Sequence, residues 1–123
     1  DASALLALLF GEEGAQHFVT LAGPTPAMSA VNWSEVAQKA TQYGVDRQLL
    51  RTRVDDAGLE IVDMTDWRAE RAADLWPVTR PLGLSLADRA CLALALETRA
   101  PAVTADRSWA GLRIDGLVVR SLR

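Results

Sequence analysis

The sequence has one cysteine, one histidine, one lysine and no long apolar run. Each scarcity excludes something. A lone thiol, Cys91, forms no internal disulfide, which fits a reducing compartment, so a cytoplasmic location is expected. Zinc sites built from Cys and His need several such ligands. With His17 the only imidazole, hydrolysis by a histidine acid and a histidine base is excluded. A Cys–His nucleophilic pair would need Cys91 exposed beside His17. The apolar neighbours of Cys91 instead mark it as a small buried hydrophobe. His17, before Phe18 and Val19, is expected at a surface or helix edge. No apolar stretch approaches the roughly 20 residues of a membrane span, and no basic front region of a signal peptide is present. No membrane partner is expected. Any hydrolytic chemistry falls to carboxylates and a borrowed metal.

What is present is ample apolar material. Half of the 123 residues are hydrophobic, enough for a single domain over 1–123 with a real core. The formal charge of -3, from 16 acids against 13 bases, argues against a broad basic coat for nucleic acid. Charge distribution still matters more than the sum. All the basic residues except Lys39 are arginine, whose planar fork suits phosphate. Genomic composition bias explains that skew equally well.

Helical and strand patterns alternate along the chain. Ser3 to Phe10 is Leu/Ala-rich and helical, and Gly11 breaks it. Ala15, Phe18, Val19 and Ala22 fall on one helical face. Gly23 to Pro26 is a loop, and Ala27 to Ser29 a very short strand. Trp33, Val36, Ala37 and Ala40 repeat the helical spacing until Gly44. Asp46 caps a helix running to about Ala57, stopped by Gly58. Leu59 to Met64 reads as a strand. Asp66 caps a helix carrying Ala69, Ala72, Ala73 and Trp76 on one face. "PVTRPLGLS" reads as a loop, and Ser85 opens an apolar helix ending near Arg99. "PAVTAD" and Gly116 to Ser121 are the last strands. Strands separated by helices imply parallel pairing, hence a three-layer α/β domain with a mainly parallel sheet flanked by helices.

In such sheets ligands bind at the carboxyl ends of the strands, so acids just after strands draw interest. Asp63 and Asp106 follow strands, and Asp1 precedes the first helix. Taken singly, each acid has an ordinary explanation. Asp1 is a terminus, and Glu35 a solvated residue off the apolar stripe of its helix. Ser85-x-x-Asp88 is an acidic capping box with its charge at a helix N-terminus. Asp106 caps a short turn.

Together, the stretches "DASALLALL", "SAVNWSEV", "SLADRACLALA" and "TADRSW" resemble the PIN domain, in its VapC-like toxin branch. The resemblance covers essentially the whole chain, in order. It implies a PIN fold and a Mg²⁺- or Mn²⁺-dependent endoribonuclease of a toxin–antitoxin system. By position, Asp1, Glu35, Asp88 and Asp106 match the metal-binding and catalytic acids. Thr104 and Ser3 match the hydroxyl residues that support them. The resemblance further implies an RNA substrate, a small antitoxin protein laid across the site, and a homodimer. Carboxylates without histidine suffice for such chemistry. A bound divalent ion takes oxygen ligands, lowers the pKa of its water and neutralises phosphate charge. Arg89 and Arg107 each follow an acid, and one of them is expected to contact substrate phosphate or an acid of the site. Arg47, Arg51 and Arg53 share a helix and read either as a solvated face or as a groove for RNA or antitoxin. Trp33, Trp67, Trp76 and Trp109 read as core or interface, with Trp33 and Trp76 on core stripes.

Three other readings compete. A receiver domain also gathers acids at strand ends, but it needs a late lysine and Lys39 is early. A catalytically silent PIN domain that only binds RNA or antitoxin retains no reason for all four acids. A DNA nuclease of related fold would need insertions to grip a duplex. The family's first acid ends a central apolar strand, so several apolar residues upstream of Asp1 are expected in the natural chain.

Overall fold

A computed structural model describes residues 1–123. Helix α1 spans Ala2–Phe10 and stops at Gly11, which takes the left-handed conformation at φ 65°. A 3-10 turn at Ala15–His17 leads into α2, Phe18–Ala22. The turn begins at Gly14, where φ is 88° and a Cβ would collide with the Leu122 carbonyl, so only glycine fits. Then come β1 (Ala27–Ser29), α3 (Ala30–Gln42), α4 (Arg47–Asp56) and β2 (Glu60–Val62). The second half holds α5 (Asp66–Asp74), α6 (Trp76–Thr79), α7 (Leu86–Thr98), β3 (Ala102–Thr104) and β4 (Val119–Ser121).

All strand pairing is parallel, as the alternating pattern predicts. Strand β1 pairs with β2, Ala27 opposite Glu60 and Ser29 opposite Val62. Strand β3 pairs with β4, Ala102 opposite Val119 and Thr104 opposite Ser121. The expected single sheet is instead two separate pairs. Between β1 and β3 lies a cavity of about 340 Å³, lined by Asp1, Ala27, Ser29, Leu94 and Val103 among others. Helices cover the strands. α1 and α2 pack on β3, α3 on β1 and β2, and α7 on both β1 and β3. The larger core cluster joins Leu5, Phe18, Met28, Val36, Leu50 and Val54. A smaller one joins Leu84, Leu92, Ala95, Ala102, Trp109 and Leu112. No helix is long and apolar enough to cross a membrane.

Several local expectations are corrected. Thr65, not Asp66, caps α5, its hydroxyl accepting the Arg68 amide, and Asp66 is the first helical residue. Trp76 lies beyond α5 in α6 and is half exposed, so it is no core stripe residue. Trp67 is equally exposed, Trp33 packs partly buried against the larger core cluster, and Trp109 is wholly buried. "PVTRPLGLS" contains part of α6 and a 3-10 turn rather than loop alone. The segment around Val19 leaves that side chain in solvent and buries only Phe18. Cys91 is half-buried, not fully buried, because it borders the cavity between the strand pairs. Strand β2 is shorter than Leu59–Met64. His17 is exposed, as its neighbours suggested.

Candidate metal and active site

The site is assembled by short-range capping chemistry at the ends of several elements. Asp1 is the N-cap of α1, its Oδ1 accepting the Ala4 amide at 3.0 Å. Ser3 Oγ lies 2.9 Å from both Asp1 carboxylate oxygens and accepts the Ala105 amide at 2.9 Å. Thr104, buried at the end of β3, donates its hydroxyl to Asp1 Oδ2 at 3.0 Å and accepts the Asp106 amide at 2.9 Å. These two hydroxyls therefore join the start of α1 to the end of β3. The Asp1 ammonium donates to the Val103 carbonyl at 2.7 Å.

Asp106 stands exposed after β3 and caps the 3-10 turn at Arg107–Gly111, its Oδ1 accepting the Ser108 amide at 2.8 Å. Asp88 occupies the first turn of α7 and completes a capping box. Its Oδ2 accepts the Ser85 amide at 2.7 Å and the Ser85 hydroxyl at 2.9 Å. That box leaves Oδ1 outside it. The ordinary explanation of Asp88 is thus structurally real. It does not exclude coordination, because a carboxylate offers two oxygens.

Glu35 projects from α3 near Asp88. Its carboxyl is pushed above the ordinary 4.5, chiefly by partial burial and further by the negative charge of Asp88. The Asn32 hydrogen bond and the Asp1 ammonium pull the other way. The acids therefore form two linked pairs, Asp1 with Asp106 through Thr104, and Glu35 with Asp88 through their charges. No three of them converge closely enough to enclose one ion.

The donor chemistry nevertheless fits a hard divalent cation. Every candidate ligand is an oxygen, and a partly desolvated carboxyl beside a like charge is the arrangement a cation relieves. The candidate ligands Asp1, Glu35, Asp88 and Asp106 stand as two pairs rather than as one enclosing set.

The arginine expectation fares differently. Arg89 Nη1 donates to the Leu84 carbonyl at 3.5 Å, and its Nε is buried without a partner. Arg107 is exposed, and neither arginine forms an ion pair with an acid. Arg51 pairs with Asp55 on its own helix and lies 5.8 Å over the Trp33 ring, as a mostly solvated face would.

Sequence reasoning passed over Asn32. It is buried on the same stripe of α3 as Val36 and Ala40, and donates to the Ala87 carbonyl at 3.0 Å and to Glu35 Oε2 at 3.5 Å. Its Oδ1 is buried without a donor, an omission that costs about 1–3 kcal/mol. The legible signal was a carboxamide interrupting an apolar helical stripe.

Comparison with known proteins follows the same outline. The family model described as PIN domain matches residues 1–114. No curated protein matches. A toxin–antitoxin complex from Klebsiella pneumoniae contains a chain 29% identical, with 96% of this chain and 92% of that one covered and a TM-score of 0.71. DNA-bound VapBC from Salmonella typhimurium is 16% identical, covering 100% of this chain and 96% of that one, TM-score 0.72. VapBC2 from Rickettsia felis, bound to a promoter DNA fragment, is 18% identical, covering 96% and 92%, TM-score 0.65. These two low identities speak for the fold alone, whereas the family match spans nearly the whole chain. The chain belongs to the PIN domain family.

Proposed function

We propose that this protein is a VapC-like toxin, a Mg²⁺- or Mn²⁺-dependent endoribonuclease that hydrolyses RNA phosphodiester bonds and is neutralised by a small antitoxin. The observation that carries the reading is the Asp1–Thr104–Asp106 bridge beside the Glu35–Asp88 pair, which draws on α1, α3, α7 and the end of β3. When bound, a divalent cation supplies an acidified water and neutralises charge on the phosphate. The chain's own contribution is orientation. Thr104 and Ser3 hold the Asp1 carboxylate rigid, and the capping box fixes one oxygen of Asp88. Glu35, on α3 near Asp88, offers a further carboxylate to the same site.

The neighbour from Klebsiella pneumoniae is a toxin–antitoxin complex, which supports a protein antitoxin as partner here. A homodimer is supported by Trp67, Trp76, Val78 and Leu86, all about half exposed between the start of α5 and the start of α7. Arg107, exposed beside Asp106, remains the arginine offered to substrate phosphate. A cytoplasmic location accords with the lone thiol.

A second reading, a silent PIN domain that only binds RNA or antitoxin, is favoured by one observation, the absence of three converging carboxylates. One experiment separates the two. RNA cleavage is measured with Mn²⁺ for the wild type and Asp88→Asn, both checked for equal thermal stability. The nuclease reading expects cleavage by the wild type and its loss in the variant. Equal cleavage, or none by either, sinks it.

A further inference from the structure

We infer that Asn32 is a positioning residue that ties the helix of Glu35 to the first turn of the Asp88 helix, holding the two carboxylates together for a shared divalent cation. The inference rests on the metal-dependent reading above.

The geometry is specific. One carboxamide nitrogen of Asn32 reaches the Ala87 carbonyl at 3.0 Å and the Glu35 carboxylate at 3.5 Å. Ala87 directly precedes Asp88, so a single side chain touches one acid and the backbone next to the other. The Ala87 carbonyl can only accept, which dictates that the amide nitrogen faces it. The oxygen is then left buried with no donor.

That arrangement is a poor way to stabilise a core. Asn32 is 1% exposed, on the stripe that includes Val36 and Ala40, where α3 packs against α7. An apolar side chain of similar size would fill the position without an unpaired acceptor. A carboxamide there serves the one thing leucine cannot do, which is to donate to both helices at once. Partners that orient metal ligands have effects of about 10–100-fold on affinity when removed.

The test is a stability–affinity split in the full chain. Melting temperature is recorded without metal, and Mn²⁺ affinity by titration calorimetry, for wild type, Asn32→Leu, Glu35→Gln and the double variant. The expected result is that Asn32→Leu melts at or above the wild-type temperature yet binds Mn²⁺ about tenfold more weakly. The loss should vanish in the Glu35→Gln background, since the residue acts through that carboxylate. Asn32→Ala repeats the measurement if the leucine variant does not fold. A lowered melting temperature with Mn²⁺ affinity unchanged assigns Asn32 a structural role only and overturns the inference. Effects of the two substitutions that simply add also overturn it. Should the wild type take up no Mn²⁺ at all, the metal-dependent reading falls and this inference with it, a result distinct from both.

Discussion

The hydroxyl of Thr104 donates to the carboxylate of Asp1 at 3.0 Å, across 103 residues of sequence. The same oxygen accepts the Asp106 amide, so one buried side chain sets the positions of two candidate ligands. Thr104→Val keeps the shape and removes both bonds. Stability is expected to fall by about 1–3 kcal/mol, because the Asp106 amide and an Asp1 oxygen lose their partner. Urea unfolding measures this, and an unchanged midpoint would show that the bridge is incidental.

Glu35 predicts a pH dependence. Its carboxyl sits above the ordinary 4.5, mainly through partial burial and then through Asp88. The folded state therefore binds that proton more tightly than the unfolded chain does. Its contribution is neutral below the unfolded value. It becomes unfavourable as pH rises through the unfolded and then the folded value. Metal-free Glu35→Gln should thus melt above wild type at pH 7, with the advantage disappearing below about pH 4. Added Mn²⁺ should erase the wild-type deficit. An advantage constant across pH would assign the effect to something other than this proton.

Arg68 and Glu97 give the opposite sign. The guanidinium of α5 grips the carboxylate of α7 with bonds of 2.9 and 3.0 Å. The hydrogen bond first, and the opposite charge with it, hold the Glu97 carboxyl below 4.5. Its stabilisation is present above the unfolded value and lost as pH falls through the folded one. Glu97→Gln should lower the melting temperature at pH 7 but not under strongly acidic conditions. Because the pair faces solvent, high salt should shrink the difference. A salt-independent deficit would point to lost packing instead.

Asp106 separates capping from chemistry. In Asp106→Asn the amide oxygen can still accept the Ser108 amide, so the turn survives and stability should change by less than about 1 kcal/mol. Removing the charge should nevertheless slow Mn²⁺-dependent RNA cleavage by roughly a hundredfold or more. Undiminished cleavage by a well-folded variant would take Asp106 out of the mechanism.

Much of the fold was legible because its signals are local. The caps at Ser85 and Asp46, and the helices they begin, need only short-range spacing to be read. The parallel pairing followed from strands alternating with helices. The four acids stood out through their flanking motifs, and the structure links them as two pairs. Failures came where neighbours distant in sequence decide. Trp76 matched a helical stripe, but α5 ends at Asp74 and carries no face as far as Trp76, which is left half exposed. Thr65 outcompeted Asp66 as cap because the hydroxyl reached the right amide one residue earlier.

By itself, then, the sequence determined the element order and the parallel connectivity, since periodicity and capping are properties of adjacent residues, while the candidate acids came from the resemblance of their flanking motifs to the PIN family. Only the tertiary structure decided that the strands form two pairs about a cavity, that Asn32 spans two helices, and that Asp88 gives one oxygen to its own helix cap. Those outcomes depend on which surfaces meet through space, and no spacing along the chain encodes a distance between segments far apart in it.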